Sequence, residues 1–465
     1  MIKTFIILGA SGDLTARFLM PAIVRLHEAD QLPEGFRVIG LAQDDWDTGS
    51  FRRHLERKLG ATVSNMDHSS RKAVLSATDY HHADVTNRDQ LSKILGKVTD
   101  PLVAYLALPP ALFEPTVRTL VALQLPKGSK LVLEKPFGTD LASAQELNRL
   151  LRESFAEQDV FRLDHFLGKQ TVQNILGLRF ANRIFEPLWN AQHVERVEIV
   201  WDETITAAGR ASFYDGTGAL RDMIQNHLLQ LLALTAMEPL HTLDERTLRD
   251  RKVDVFRAVR RLSPEEVARQ TVRGRYSHGA IGAREVLPYI KEAGVELGRQ
   301  TETFAQIELS IDNWRWAGVP FLLRTGKALR RDRREIAIHF RAVPHLAFGQ
   351  KSQPQPNTLK IELAPDRIAL SVNVNEPGDL CDLEQVVLES VFASGDLPAY
   401  ARLLLDVLNG DPTLSIRDDE AEESWRIVEP ILAEWKHDRV PLLEYRAGSD
   451  GLAIPPSQQS GSGSE

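Results

Sequence analysis

Along the first third of the chain, apolar residues fall in short runs. Thr4 to Leu8, Arg37 to Leu41, Asp79 to Val85, Pro101 to Leu108, Lys130 to Leu133 and Val160 to Leu163 each read as a strand. Runs of this kind, buried on both faces, belong to parallel sheets. Helical patterns lie between them; after the first run, Phe18, Leu19, Ile23 and Leu26 share one apolar side. The alternation continues to Leu151 and predicts a doubly wound parallel sheet over residues 1–170. Past about Thr171 the period becomes two. Val194 to Trp201 begins this stretch, and Ile307 and Leu309 alternate with Gln306, Glu308 and Ser310. Ile336, Ile338 and Phe340, then Leu359, Ile361 and Leu363, then Leu370, Val372 and Val374 continue it. Such alternation predicts half-buried antiparallel strands. The expected fold class is therefore α/β plus α+β. The larger C-terminal domain, over 171–454, carries a mostly antiparallel open sheet with helices on one face. The remaining tail, 455–465, has no apolar side chain beyond proline and is expected to be disordered.

A length of 465 residues suits two or three domains. The formal net charge of −8 disfavours non-specific nucleic-acid binding and leaves no polybasic patch for a membrane surface. An anionic ligand must then be held by local positive charge. No apolar run approaches a membrane span. Met1 to Phe5 leads straight into a strand pattern, so no signal peptide is expected. The sole cysteine, Cys381, excludes an intramolecular disulfide and a cysteine metal cluster, and reads as a small buried residue. Cytoplasm is the expected compartment. An open sheet has edges and an exposed face, which points to a homodimer or homotetramer.

Candidate chemistry begins at Gly9-Ala10-Ser11-Gly12-Asp13-Leu14, between the first strand and the first helix. Its glycines let backbone N–H groups approach a pyrophosphate at the helix end, as in a Rossmann-like dinucleotide-binding unit. The spacing is G-x-x-G, so a structural turn without a nucleotide is the alternative on this fragment. Gln43, with Asp44 and Asp45, closes the second strand, where the adenosine ribose is expected. Pro109 sits in a rigid turn at a strand's C-terminal edge. Lys135 lies at another strand end and reads as a contact to substrate or nicotinamide, or as a solvated lysine. The stretch Arg162 to Gln170 packs an acid, an imidazole and an ammonium together. If a helix begins near Asp164, His165 and Lys169 share one face and bind a phosphate with the helix end. Asp164 is then available to orient a second histidine. The alternative is a solvated helix start with a capping Asp. In the helical pattern Gly218 to Met237, His227 falls on the apolar stripe of Leu220, Ile224, Leu231 and Leu234. Desolvation there favours a neutral imidazole, a candidate base; a core histidine is the alternative. Asp222 and Asn226 share another face and suit a polyol. The run Arg330, Arg331, Arg333 and Arg334 is expected to be a solvated loop.

These segments jointly resemble one family. Arg162 to Lys169 is similar to the R-[IV]-D-H-Y-L-G-K signature of glucose-6-phosphate dehydrogenases. Gly218 to His227 is similar to their G-A-x-R-D-M-[IV]-Q-N-H helix. Asp312 to Pro320 with Arg324 to Lys327 resembles their D-N-W-R-W-x-G-V-P and R-T-G-K segments. Gly9 to Leu14 and Glu134 to Gly138 resemble their cofactor-domain motifs, and the likeness runs from Ile6 to about Gly451. It implies oxidation of D-glucose 6-phosphate at C1 to the 6-phospho-lactone, the first step of the oxidative pentose phosphate pathway, with hydride transfer to NADP or NAD and no metal. In that reading His227 is the base and Asp164 orients it. His165 and Lys169 hold the phosphate. Glu203, Asp222 and Lys327 grip the sugar, and Lys135 bridges sugar and nicotinamide. A dehydrogenase of another sugar, or a non-catalytic cofactor-binding relative, are the rival readings.

Three residues depart from the family pattern. Phe166 stands where Tyr is usual, which removes a phenol donor worth roughly 1.5–3 kcal/mol if it faced a charge. Phe18 stands where many relatives have Lys. Gln43 stands where Arg commonly grips the 2′-phosphate of NADP. The carboxylates of Asp44 and Asp45 suit the free 2′-hydroxyl of NAD, so NADP, NAD and dual use all stay open.

Overall fold

The computed structural model describes residues 1–62, 66–348, 354–377, 382–392, 395 and 397–454. Cys381 and the tail 455–465 lie outside the described residues. The chain forms two compact units. The first takes Met1–Gln173, Leu240–Asp250 and Gly395–Glu422; the second takes Asn174–Pro239, Arg251–Ser394 and Glu423–Glu465.

In the first unit the apolar runs become β1 (Thr4–Leu8), β2 (Arg37–Ala42), β3 (Thr78–His82), β4 (Leu102–Leu106), β5 (Lys130–Glu134) and β6 (Val160–Leu163). All pair in parallel, in the order β3-β2-β1-β4-β5-β6. This is the doubly wound order in which the strand sequence reverses between β1 and β4. Phe5, Ile7, Val103, Tyr105, Val132 and Phe161 fill one face together with Leu19, Ile23 and Leu26 of the first helices. The same cluster takes Leu403, Leu404 and Val407 from the helix Ala399–Asn409. The chain thus returns, far beyond residue 170, to finish this unit. It also covers the open edge of β6. Arg162 N–H donates to Ser415 Oγ at 2.9 Å, and Ile416 N–H donates to the Arg162 carbonyl at 3.0 Å. The Arg162 side chain is fully buried, with its guanidinium 2.7 Å from Glu157 and 2.9 Å from Asn148 Oδ1. A buried cation persists only when paired in this way.

The second unit carries β7 (Val194–Asp202), β8 (Thr271–Ser277), a small hairpin of β9 (Gly279–Ile281) and β10 (Arg284–Val286), β11 (Phe304–Ser310), β12 (Pro320–Gly326), β13 (Arg333–Phe340), β14 (Thr358–Leu363), β15 (Asp366–Asn375), β16 (Leu383–Val391) and β17 (Leu442–Arg446). Nine of them form one open sheet, β16-β15-β14-β13-β7-β12-β11-β8-β17. Only β7/β12 and β8/β17 are parallel. The period-two alternation explains β14, where Leu359 and Ile361 are fully buried while Lys360 and Glu362 reach solvent; in β13 the whole run Glu335 to Ile338 is buried. Arg333 and Arg334 are not in a solvated loop. They open β13 half-buried; Arg333 pairs with Glu198 at 2.9 Å and Arg334 lies over the Trp201 ring. Strands β15 and β16 expose Val374, Val387, Leu388 and Val391. Among the described residues, no helix is long and apolar enough to cross a membrane.

Candidate active site

In the first unit the cofactor-side residues gather at the C-terminal edge of the sheet. Gly9 follows β1 with φ +90°, and its N–H donates to the Leu41 carbonyl at 2.8 Å. A Cβ at Gly9 would lie 2.3 Å from the Ala107 carbonyl oxygen, so only glycine fits both the conformation and the space. Ser11, Gly12, Asp13 and Leu14 continue the turn. Gly12 and Asp13 are exposed, and Asp13 lies 3.7 Å from both Arg17 and Lys58. Pro109 follows β4, across the point where strand order reverses, and leads the short turn Pro110–Leu112. Beyond the ends of β2 and β3 opens a cleft of about 780 Å³ lined by Gln43, Tyr80, His81, His82, Asp84 and Lys93. Its size suits a nucleoside. The Tyr80 hydroxyl donates to the Asp44 backbone carbonyl at 2.7 Å, and burial pushes that phenol up to about 12. Asp44 and Asp45 are exposed, with His82 3.7 Å from the Asp45 carboxylate. The tight glycine turn, the switch-point edge and the cleft together fit a dinucleotide.

Lys135 and Asp164 directly follow β5 and β6 on the same edge. Asp164 is buried. Its Oδ1 accepts from Phe166 N–H at 2.9 Å, and its carbonyl accepts from Leu167 N–H at 3.0 Å. A helix starting at Asp164 is therefore corrected to a turn; the helix begins at Gln170. The reason is local: the Asp side chain takes up the N–H two residues on, an Asx turn that competes with helix. His165 and Lys169 do not share a helical face. They flank the turn instead, both half-buried. Phe166, between them, is buried, with the Lys169 ammonium 5.0 Å from its ring centre. Gly168 lets the turn pack closely: a Cβ there would meet the Ala399 carbonyl oxygen at 2.6 Å. That contact brings in Tyr400, whose ring stacks on His165 at 5.7 Å and 10°. Tyr400 and Tyr105 both hydrogen-bond Glu134, the residue before Lys135. Burial pushes the Glu134 carboxyl up to about 7, against the hydrogen bonds and the Lys135 charge, which pull it down. Sequence reasoning missed Glu134 and Tyr400 as members of this group.

In the second unit Glu203 and Lys327 follow β7 and β12, neighbours in parallel register. Their side chains pair at 2.8 Å and are mostly buried. The backbone locks both: Glu203 N–H donates to Gly326 O at 2.8 Å, and Lys327 N–H to Thr303 O at 2.9 Å. Lys327 Nζ also lies 5.2 Å from the Tyr214 ring centre. Burial, with the charges of Asp222 and Glu203 among others, holds the Tyr214 phenol well above its ordinary range. Tyr214 is thus a member that sequence reasoning missed; no motif marks it. Asp222 and His227 lie on the π-helix Leu220–Leu228, followed by the α-helix Leu229–Ala236. The expected single α-helix is wider-wound at its start, a form often met at functional sites. Gly218 opens it at φ +76°, where a Cβ would strike the Glu302 carboxylate at 2.4 Å. That carboxylate instead accepts from Leu220 N–H at 3.0 Å and satisfies the helix end. His227 is 1% exposed. Asn226 turns its amide to the Arg221 carbonyl at 2.8 Å.

Comparison with known proteins agrees along the whole length. Residues 6–174 match the family model "Glucose-6-phosphate dehydrogenase, NAD binding domain", and residues 176–457 match "Glucose-6-phosphate dehydrogenase, C-terminal domain". The glucose-6-phosphate 1-dehydrogenase of Zymomonas mobilis is 39% identical over 97% of this chain and 96% of its own. That of Mycolicibacterium smegmatis is 41% identical over 96% and 94%. A crystal structure of the enzyme from Mycobacterium avium superposes with a TM-score of 0.85 at 35% identity, over 97% of this chain and 96% of its own. A glucose-6-phosphate dehydrogenase in complex with its substrate superposes with a TM-score of 0.87 at 31% identity, over the same shares. With both domain models matched and relatives near 40% identical from end to end, the chain belongs to the glucose-6-phosphate dehydrogenase family.

Proposed function

We propose that this protein is a cytoplasmic NAD(P)-dependent glucose-6-phosphate 1-dehydrogenase, yielding 6-phospho-D-glucono-1,5-lactone. The observation that carries this reading is the full-length likeness to enzymes of that name together with the two residue groups described above. NAD(P), when bound, supplies the hydride acceptor. The chain supplies the rest. An imidazole nitrogen of His227 takes the proton of the 1-hydroxyl as the C1–H bond is broken. Asp164 orients that imidazole and stabilises its protonated form. His165 and Lys169 hold the 6-phosphate by charge-assisted hydrogen bonds. Glu203, Asp222 and Lys327 fix the sugar hydroxyls, and Lys135 bridges sugar and nicotinamide.

The adenosine end favours NAD. Gln43 offers no charge to a 2′-phosphate, and two exposed carboxylates follow it. Initial rates at 340 nm with glucose 6-phosphate and each cofactor test both claims. Turnover is expected with either, with the higher kcat/KM for NAD. Gln43→Arg is expected to raise kcat/KM for NADP about tenfold, the worth of one charge-assisted bond. No turnover by folded protein would move the weight to another sugar. The exposed Val387, Leu388 and Val391 of β16, the strand at the end of the sheet, support burial of this edge in a homodimer or a homotetramer. Light scattering after gel filtration distinguishes these from a monomer.

A further inference from the structure

Two of the three departures from the family pattern, Phe18 and Phe166, meet in one place. Phe18 is 42% exposed, yet its ring lies 5.2 Å from Tyr400. Tyr400 stacks on His165, and His165 meets the Phe166 ring edge-on at 5.0 Å. Lys169 lies over that same Phe166 ring. Four rings therefore form a continuous column; His165, one of the two residues expected to hold the phosphate, is part of it, and the Lys169 ammonium rests against it. The column is built into the unit. Gly168 admits the helix Ala399–Asn409 so closely that a Cβ would strike its first carbonyl and Leu403. Tyr400 is then tied at its hydroxyl to buried Glu134, which Tyr105 also holds.

We infer that the column Phe18–Tyr400–His165–Phe166 is a positioning device for the phosphate-holding His165 and Lys169, with Tyr400 as its anchored member. The inference rests on the reading of His165 and Lys169 as phosphate ligands. An aromatic face attracts a cation in proportion to its desolvation. Stacking also restricts the imidazole to one plane, so less freedom is lost when a phosphate binds. Tyr400 acts through His165 and is a positioning residue.

The test compares Tyr400→Leu with Tyr400→Phe in the full-length protein. Tyr400→Leu is expected to raise KM for glucose 6-phosphate about tenfold, with kcat within about threefold and KM for the dinucleotide unchanged. Tyr400→Phe, which keeps the ring and loses the tie to Glu134, is expected to recover most of the loss, leaving KM about threefold raised. An unchanged KM in Tyr400→Leu overturns the inference. So does a fall in kcat, or a rise in the dinucleotide KM, as large as the change in sugar-phosphate KM. If Tyr400→Leu does not fold, Tyr400→Phe decides: its expected rise supports the device, and no rise overturns it. If the wild-type protein shows no turnover, the proposed function falls. Inorganic phosphate titrated against the ¹⁵N-imidazole signals of His165 then decides the inference. Weaker binding in the variant supports it, and equal binding overturns it.

Discussion

Replacement of His227 by asparagine is expected to lower kcat by about 10³–10⁴-fold, with KM for glucose 6-phosphate changed by no more than about threefold. The asparagine keeps a polar group of similar reach but cannot take a proton. The loss therefore falls on the transition state and not on ground-state binding. On the same helix Gln225 is tied to Ser424 Oγ at 2.9 Å and Asn226 to the Arg221 carbonyl at 2.8 Å. Asp164→Asn is expected to cost less, because the imidazole remains present and only its orientation and the support for its charge are weakened. Steady-state rates at saturating cofactor, with circular dichroism as a folding control, measure both. A His227→Asn enzyme within tenfold of wild type would remove this residue from the chemistry.

The second large effect concerns stability. Glu134 is a buried acid whose folded value, about 7, lies above the ordinary 4.5. The folded state therefore binds the proton more tightly than the unfolded chain does. Its contribution is fully favourable below the unfolded value of 4.5 and is lost as pH rises through 7. The difference amounts to about 3 kcal/mol. Glu134→Gln keeps an acceptor for a tyrosine hydroxyl and has no charge to bury. The wild-type melting temperature is expected to fall between pH 5 and pH 8 by several degrees more than that of Glu134→Gln. Parallel curves would show that another acid sets the slope; Asp406, likewise raised to about 7 by burial, is the next to test.

Much of the parallel sheet was legible because each strand is buried on both faces and its run of apolar residues has sharp ends. Thr4–Leu8 and Val160–Leu163 fall where the runs begin and end. The strand read as Asp79 to Val85 stops at His82, since Asp84 is drawn into the turn by Thr86, whose N–H lies 2.9 Å from its carboxylate. In the second sheet β7, β11, β13, β14 and β15 were legible from alternation, whereas β8, β12, β16 and β17 were not. Nor was its nine-strand order, because pairing of distant strands leaves no local mark. The Asp164 turn was misread as helix for a definable reason. A charge spacing of four fits a helix, but the carboxylate satisfies the backbone first. Tyr400 and Tyr214 escaped because neither lies in a motif. Their importance comes from what the fold sets beside them.

The return of residues 395–422 to the first unit has a consequence for how the protein is made. Ser415 and Ile416 complete the edge of β6, and Leu403, Leu404 and Val407 complete the core beside the first helices. A ribosome releases the chain from its amino end, and domains generally fold as they emerge. Here the nucleotide-binding half cannot close when its own six strands are out. For the roughly two hundred and fifty residues between Leu163 and Ser415 still to be translated, an apolar face and a bare strand edge stay uncovered. Synthesis of residues 1–173 alone should therefore give a chaperone-bound or insoluble fragment, because residues made more than two hundred positions later complete its core and its sheet edge.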